Sequence, residues 1–128
     1  MGPTALTLSL QPGRYAVAQL APSAPLPAWA ASGRVTCVVR TPVELSIVCD
    51  EAAVPPDVRA ERGFCALVID GALDFALTGI LASVTGPLAA AGISLFAFST
   101  YDTDYVMVKA DRLDAAIAAL SAAGHEVD

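Results

Sequence analysis

Leu6, Leu8 and Leu10 alternate with Thr7 and Ser9, the period-two pattern of a half-buried strand. Gln11-Pro12-Gly13 reads as a turn and Tyr15 to Leu20 as a second strand. The run Ala21-Pro22-Ser23-Ala24-Pro25-Leu26-Pro27 is too rich in proline for a helix. Pro27 can open only a short helical turn over residues 28–31. Val35 to Val39 and Glu44 to Cys49 predict two more strands, joined through Arg40-Thr41-Pro42-Val43. Residues 53–57, with Pro55-Pro56, read as connection. The polar stretch 58–63, carrying Arg59, Glu61 and Arg62, sets the expected boundary between two domains, 1–62 and 63–128.

The second half has a clearer rhythm. Cys65 to Ile69 predicts a strand, and Asp70-Gly71-Ala72-Leu73 a loop. Leu77, Ile80, Leu81, Val84 and Leu88 recur at helical spacing. Asp74 is the expected N-cap, Pro87 is expected to kink or break the last turn, and Gly92 suits the left-handed position after it. Residues 93–98 and 104–109 predict strands around a loop at Ser99 to Thr103. Asp111 is expected to cap a last helix with the stripe Leu113, Ile117 and Leu120; Gly124 ends it, and Glu126-Val127 forms a short closing strand. Strand, helix, strand, strand, helix, strand is the split β-α-β order of a ferredoxin-like α+β fold, an antiparallel sheet with helices on one face. Residues 40–48 resemble 99–108: Thr41 meets Thr100 and, with one gap, Glu44 meets Asp104. That repeat suggests two small α+β units in tandem.

Composition narrows the function. The 128 residues are 55% hydrophobic and 16% charged, enough for a real core and too apolar for disorder. Thirteen acids against seven bases give a net charge of -6, with Lys109 the sole lysine. Phosphate neutralisation needs cations, so neither nucleic acid nor an anionic membrane is an expected partner. Cys37, Cys49 and Cys65 form no C-x-x-C and His125 is the sole histidine; a structural zinc is not expected, nor any other metal or cofactor. The cysteines read as reduced thiols of a cytoplasmic protein, and MGPTALTLSL lacks the basic start of a signal peptide. Phe75 to Tyr101 is uncharged over 27 residues, but Gly79, Gly86-Pro87, Gly92 and several hydroxyls interrupt it, and no basic anchor flanks it. It reads as helix, turn and strand in a soluble core.

Two segments carry candidate chemistry. Residues 70–79 join a strand to a helix start, where unpaired backbone N–H groups favour a carboxylate or phosphate and Gly71 permits close approach. The same loop also reads as plain connection, with Asp74 merely capping. Ser99-Thr100-Tyr101-Asp102-Thr103-Asp104-Tyr105 is an unbroken polar run between apolar strands. A tight hairpin calls for Gly, Asn or Asp, and two carboxylates two apart on an extended chain share a face. They suit an ammonium or guanidinium; a solvated acidic turn is the alternative. The strand-helix loop and this hairpin are expected at opposite ends of the sheet, which would place a shared pocket between neighbouring units. His125 reads as a terminal cation on a helix dipole, and Trp29 as a core or interface aromatic. No nucleophile elbow or phosphate loop occurs, so no catalytic residue is assigned.

The segments Asp70-Gly71-Ala72-Leu73-Asp74-Phe75-Ala76-Leu77-Thr78-Gly79-Ile80-Leu81-Ala82 and 91–105 resemble an ACT domain, with closest likeness to small bacterial proteins holding two ACT-like units in tandem, a type related to the cytosolic arginine sensors of animal cells. Leu10-Gln11-Pro12-Gly13-Arg14-Tyr15-Ala16-Val17 resembles the opening of that bacterial group. The resemblance implies βαββαβ units paired side by side, hence a homodimer, with regulatory binding of an amino acid at unit interfaces. By position it implies Gly71, Asp74, Phe75, Thr78, Gly79 and Ile80 on the ligand's carboxylate side, and Ser99, Thr100, Asp102 and Asp104 as acceptors for its ammonium or side chain. Many ACT domains regulate a fused enzyme, so a separate partner enzyme is a further expectation. A purely structural dimerisation or docking module is the alternative function. A small hydrolase or isomerase using Asp102 and Asp104 ranks last, since no nucleophile-base pair is recognisable.

Overall fold

The computed structural model describes residues 5–71 and 78–128. The chain runs β1 (Thr7–Leu10), β2 (Tyr15–Leu20), a 3-10 turn (Ala28–Ala31), β3 (Cys37–Arg40), β4 (Leu45–Asp50), a second 3-10 turn (Glu51–Ala53), β5 (Ala60–Ile69), α1 (Ile80–Ala90), β6 (Phe96–Ser99), β7 (Asp104–Lys109), a third 3-10 turn (Ala110–Arg112), α2 (Leu113–Ala122) and β8 (Glu126–Val127). It divides into two compact units. An inner unit is Pro12–Phe64; an outer unit combines Met1–Gln11 with Cys65–Asp128. Residues 58–63, expected as a boundary, lead into and form the first part of the ten-residue strand β5, and β1 groups with the C-terminal half.

The inner unit orders its strands β3-β4-β2-β5, all antiparallel. Ala16 and Ala18 of β2 and Leu45, Ile47 and Cys49 of β4 are buried with Ala30 of the first turn and Val54, which follows the second. The alanines leave room for these turns to lie against the strands. A tandem βαββαβ reading expects two α-helices here, and the unit has two 3-10 turns instead. Pro22, Pro25 and Pro27 occupy the first connection and Pro55-Pro56 the second, removing the donors a helix needs. Polar contacts hold the second connection: Arg62 donates to the Val54 carbonyl at 3.3 Å and the Pro55 carbonyl at 2.9 Å, and the Gly63 N–H donates to Glu51. Trp29 packs at the margin of this core.

The outer unit orders its strands β6-β7-β5-β1-β8. β1 lies antiparallel to β5, with Leu8 opposite Ile69, and parallel to β8, with Leu8 opposite Val127. Leu8, Leu67, Ile69, Val106 and Val108 alternate toward one face, where Val84 and Leu88 of α1 and Ala116 and Leu120 of α2 close the core. Both helices end in the same Schellman geometry. Gly92 and Ile93 donate to Ala89 and Leu88, and Gly124 and His125 donate to Ser121 and Leu120, all at 3.0 Å.

Four local expectations change. α1 begins at Ile80, with left-handed Gly79 (φ 77°) as its N-cap; Asp74, expected in that place, lies outside the described residues. α2 has Arg112 as its N-cap; Asp111 lies in the preceding 3-10 turn. Pro87 stays inside α1 rather than ending it. His125 is not the terminal cation expected at the helix end. It is buried, its Nδ1 accepts the Leu6 N–H at 3.0 Å, and its Nε2 lies 2.9 Å from the Ser83 carbonyl. An acceptor Nδ1 leaves the hydrogen on Nε2, which donates to Ser83, so the ring is neutral in this arrangement. Pro87 has no N–H for Ser83, the residue four places earlier, and His125 fills that vacancy.

Candidate ligand site at one end of the outer unit

The end of β5 is held by β1. The Asp70 N–H donates to the Thr7 carbonyl at 2.9 Å, and the Ser9 hydroxyl donates to Asp70 Oδ1 at 2.7 Å. Gly71, Thr78 and Gly79 are exposed, while Ile80 turns its side chain partly into the core. Asp74 and Phe75 lie outside the described residues. The first turn of α1 has no acidic residue, and Gly79 supplies no side-chain cap. The first intrahelical bond runs from the Ser83 N–H to the Gly79 carbonyl at 2.9 Å, leaving the earlier N–H groups at this end.

The hairpin of β6 and β7 is braced by Phe98 and Tyr105, directly opposite each other and stacked with centroids 5.2 Å apart. Beyond this pair the Ser99 hydroxyl donates to Asp104. The turn is tight despite lacking glycine or asparagine: Tyr101 and Asp102 form a two-residue loop, and the Thr100 N–H donates to the Thr103 carbonyl at 2.8 Å. The Thr100 hydroxyl accepts from the Thr103 N–H at 3.1 Å, replacing the usual turn chemistry with a side-chain clasp. Asp102 is therefore in the turn, not on an extended chain, and the period-two argument pairing it with Asp104 does not apply.

Thr103 decides the geometry. Its hydroxyl donates to the Ile69 carbonyl at 2.6 Å. The hairpin and the loop after β5 are therefore at the same end of the unit, not at opposite ends. The physical reason is that α1 carries the chain back, so β6 leaves where β5 left. Gly71, Ser99, Thr100 and Asp104 are thus brought to one end with the β5 terminus. Sequence reasoning assigned Thr103 no role; its signal was the Thr-x-x-Thr spacing of the turn.

The inner unit repeats this clasp. The Thr41 N–H donates to the Glu44 carbonyl at 2.9 Å, and the Glu44 N–H donates to the Thr41 hydroxyl at 3.2 Å. Thr41 thus corresponds to Thr100, but Glu44 corresponds to Thr103 without a gap, not to Asp104. Among the described residues no group of three His, Cys, Asp or Glu side chains is placed to hold a metal, and no helix is long and apolar enough to cross a membrane.

Known proteins place this geometry in a family. The profile of the ACT domain matches residues 59–122, and a second profile, of an N-terminal domain, matches 13–57. No curated protein matches the chain. Among solved structures, a protein of Agrobacterium tumefaciens is 36% identical, with a TM-score of 0.94 over 98% of this chain and 94% of that one. A Vibrio cholerae protein of unknown function, described as a possible transport protein, is 19% identical, with a TM-score of 0.76 over 94% and 91%. The regulatory subunit of aspartate kinase from Thermus thermophilus is 15% identical, with a TM-score of 0.63 over 93% and 99%, a likeness of fold. Since the ACT domain profile matches half of the sequence, the chain belongs to the ACT domain family.

Proposed function

We propose that this chain is a non-catalytic regulatory module that binds an amino acid at the end of the outer unit. The observation that carries the reading is the Thr103 to Ile69 tether, which ties the acceptor-rich hairpin to the end of β5, the strand that leads on to the start of α1. Gly71, Thr78, Gly79 and the backbone of Ile80 receive the ligand carboxylate, with Asp74 and Phe75 on the same side. Ser99, Thr100, Asp102 and Asp104 accept from its ammonium or side chain. Membership of the ACT family and the likeness in fold to a kinase regulatory subunit support regulation over turnover. The chain is a tandem of two ACT-like units, a shortened inner one and a complete outer one, as the shared threonine clasp supports. By its likeness to the tandem sensor type it acts in the cytoplasm as a homodimer and controls a separate enzyme.

Thermal unfolding with each common amino acid tests this. A ligand at about 100 times its dissociation constant adds about 2.7 kcal/mol. One selective upward shift, lost in the Asp102→Ala, Asp104→Ala double variant, is the expected result. A shift that survives the double variant overturns the site.

A second reading rests on β3. This outer strand of the inner unit exposes Val38 and Val39, and Val43 beyond it is 79% exposed. Bare strand edges invite pairing, so a purely structural docking module also fits. A strict monomer in sedimentation and a selective ligand shift together reject it.

A further inference from the structure

His125 is the buried titratable group that the ligand reading does not use. It is 4% exposed, and both ring nitrogens are engaged by backbone. Its Nδ1 holds the N–H of Leu6, immediately before β1. The Leu6 carbonyl accepts the Glu126 N–H at 2.9 Å, the Leu8 carbonyl accepts the Asp128 N–H at 2.8 Å, and the Thr7 carbonyl holds Asp70. The ring therefore closes the end of the β1–β8 ladder and ties it to α1 through Ser83. We propose that His125 is a proton-sensitive latch: its neutral ring fastens β1 to α1, and proton uptake at Nδ1 opens the end of β1.

The step balances simply. A hydronium ion gives its proton to Nδ1 and leaves as water, the Leu6 N–H loses its acceptor, and the ring becomes a cation with two N–H donors. Two donors cannot face each other, so the Leu6 amide must leave. The two partners of the ring among the described residues are backbone groups, not carboxylates. The described residues of β1 and α1 carry no titratable side chain; α2 carries only Asp114, in its first turn at the far end from Gly124. Glu126 and Asp128 beside the ring are exposed and make no hydrogen bond to it. Histidine is the side chain whose charge ordinarily changes near neutral pH. The device acts on β1 whether or not a ligand binds, so it stands apart from the proposed function.

The test is amide exchange by NMR on the full chain, followed with the imidazole nitrogens from about pH 8 to about pH 5. Protection of Leu6, Glu126 and Asp128, corrected for intrinsic rates, is expected to fall about tenfold or more as the ring takes its proton. His125→Asn, neutral at every pH, should show no such fall. The titration of the unaltered protein decides alone if that variant does not fold. Protection that is constant while the ring titrates, or that falls at a different pH from the ring, overturns the proposal. So does a ring that stays neutral to the acid limit with protection unchanged.

Discussion

His125 gives the Ser83 carbonyl the donor that Pro87, four residues along α1, cannot. The two positions are 38 apart in sequence and are joined by one acceptor. The Schellman turn after α2 makes this possible. Gly124 reverses the chain, and His125 takes the place that Ile93 takes after α1, with its N–H on Leu120 as Ile93 is on Leu88. An apolar residue is usual there. A neutral imidazole fills the same slot and adds a donor and an acceptor.

A double-mutant cycle on this pair should reveal the shared acceptor. His125→Ala removes a buried ring and orphans both the Leu6 N–H and the Ser83 carbonyl, which should cost about 3 kcal/mol. Pro87→Ala returns an intrahelical N–H to Ser83. We expect Pro87→Ala to stabilise the His125→Ala protein by about 1 kcal/mol more than it stabilises the unaltered one. Denaturant titration of the four proteins measures the difference. Strict additivity would show that the two residues do not share the acceptor.

Thr103→Val keeps the shape of the side chain and deletes the bond to the Ile69 carbonyl. The expected loss in unfolding free energy is about 1 kcal/mol, since the site is half-buried and water can replace part of the bond. Its larger effect should be on the end of the unit, where the tip of the hairpin is no longer tied to the last residue of β5. Amide exchange at Thr100 and Asp104 should rise more than at Val106 in the core of β7. Equal changes at all three would mean that the tether only adds general stability.

Much of the outer unit was legible in the sequence because its residues obey local rules. The alternation through Leu8, the helical spacing of Val84 and Leu88, and the glycines at 92 and 124 each specify their own element. What was hidden depends on distant partners. Pro87 reads as a breaker unless the donor at position 125 is known, and His125 reads as a terminal cation on a helix dipole unless its two backbone partners are known. The polar residues 59–62 read as a boundary because Arg62 spends its charge on carbonyls reached only after folding. The two candidate segments were expected at opposite ends of the sheet, because their common end is reported by one hydroxyl, that of Thr103. The threonine clasp was half seen, since Thr41 and Thr100 align, while its closing partners do not look alike as side chains.

Arg62 does for the inner unit what a second helix would do elsewhere. Its guanidinium reaches the carbonyls of Val54, Pro55 and, at 3.5 Å, Val58. A planar fork can serve several acceptors where an ammonium acts as a point charge. Arg62→Met should therefore lower stability by about 2 kcal/mol, with Arg62→Lys recovering less than half. Limited proteolysis should then cut first within residues 54–58. Full recovery by lysine would show that the charge matters and the fork does not.

The thiol of Cys49 should make stability fall at high pH. Cys49 is fully buried in the inner core, and burial, with a smaller contribution from the adjacent Asp50 carboxylate, pushes its thiol above the ordinary range. Burial also raises Cys37. In the unfolded chain these thiols lose their protons at the ordinary pKa of about 8.5. Between that value and the raised one, the folded state holds more protons than the unfolded state, so unfolding free energy declines as pH rises. Below the ordinary range the contribution is complete and constant. The melting temperature should thus drop on passing from about pH 8 to about pH 10, and the drop should be shallower in Cys49→Ala and shallower again when Cys37→Ala is added. The difference between the slopes of the three proteins is the quantity to read. Parallel curves for all three proteins would show that neither thiol is linked to folding.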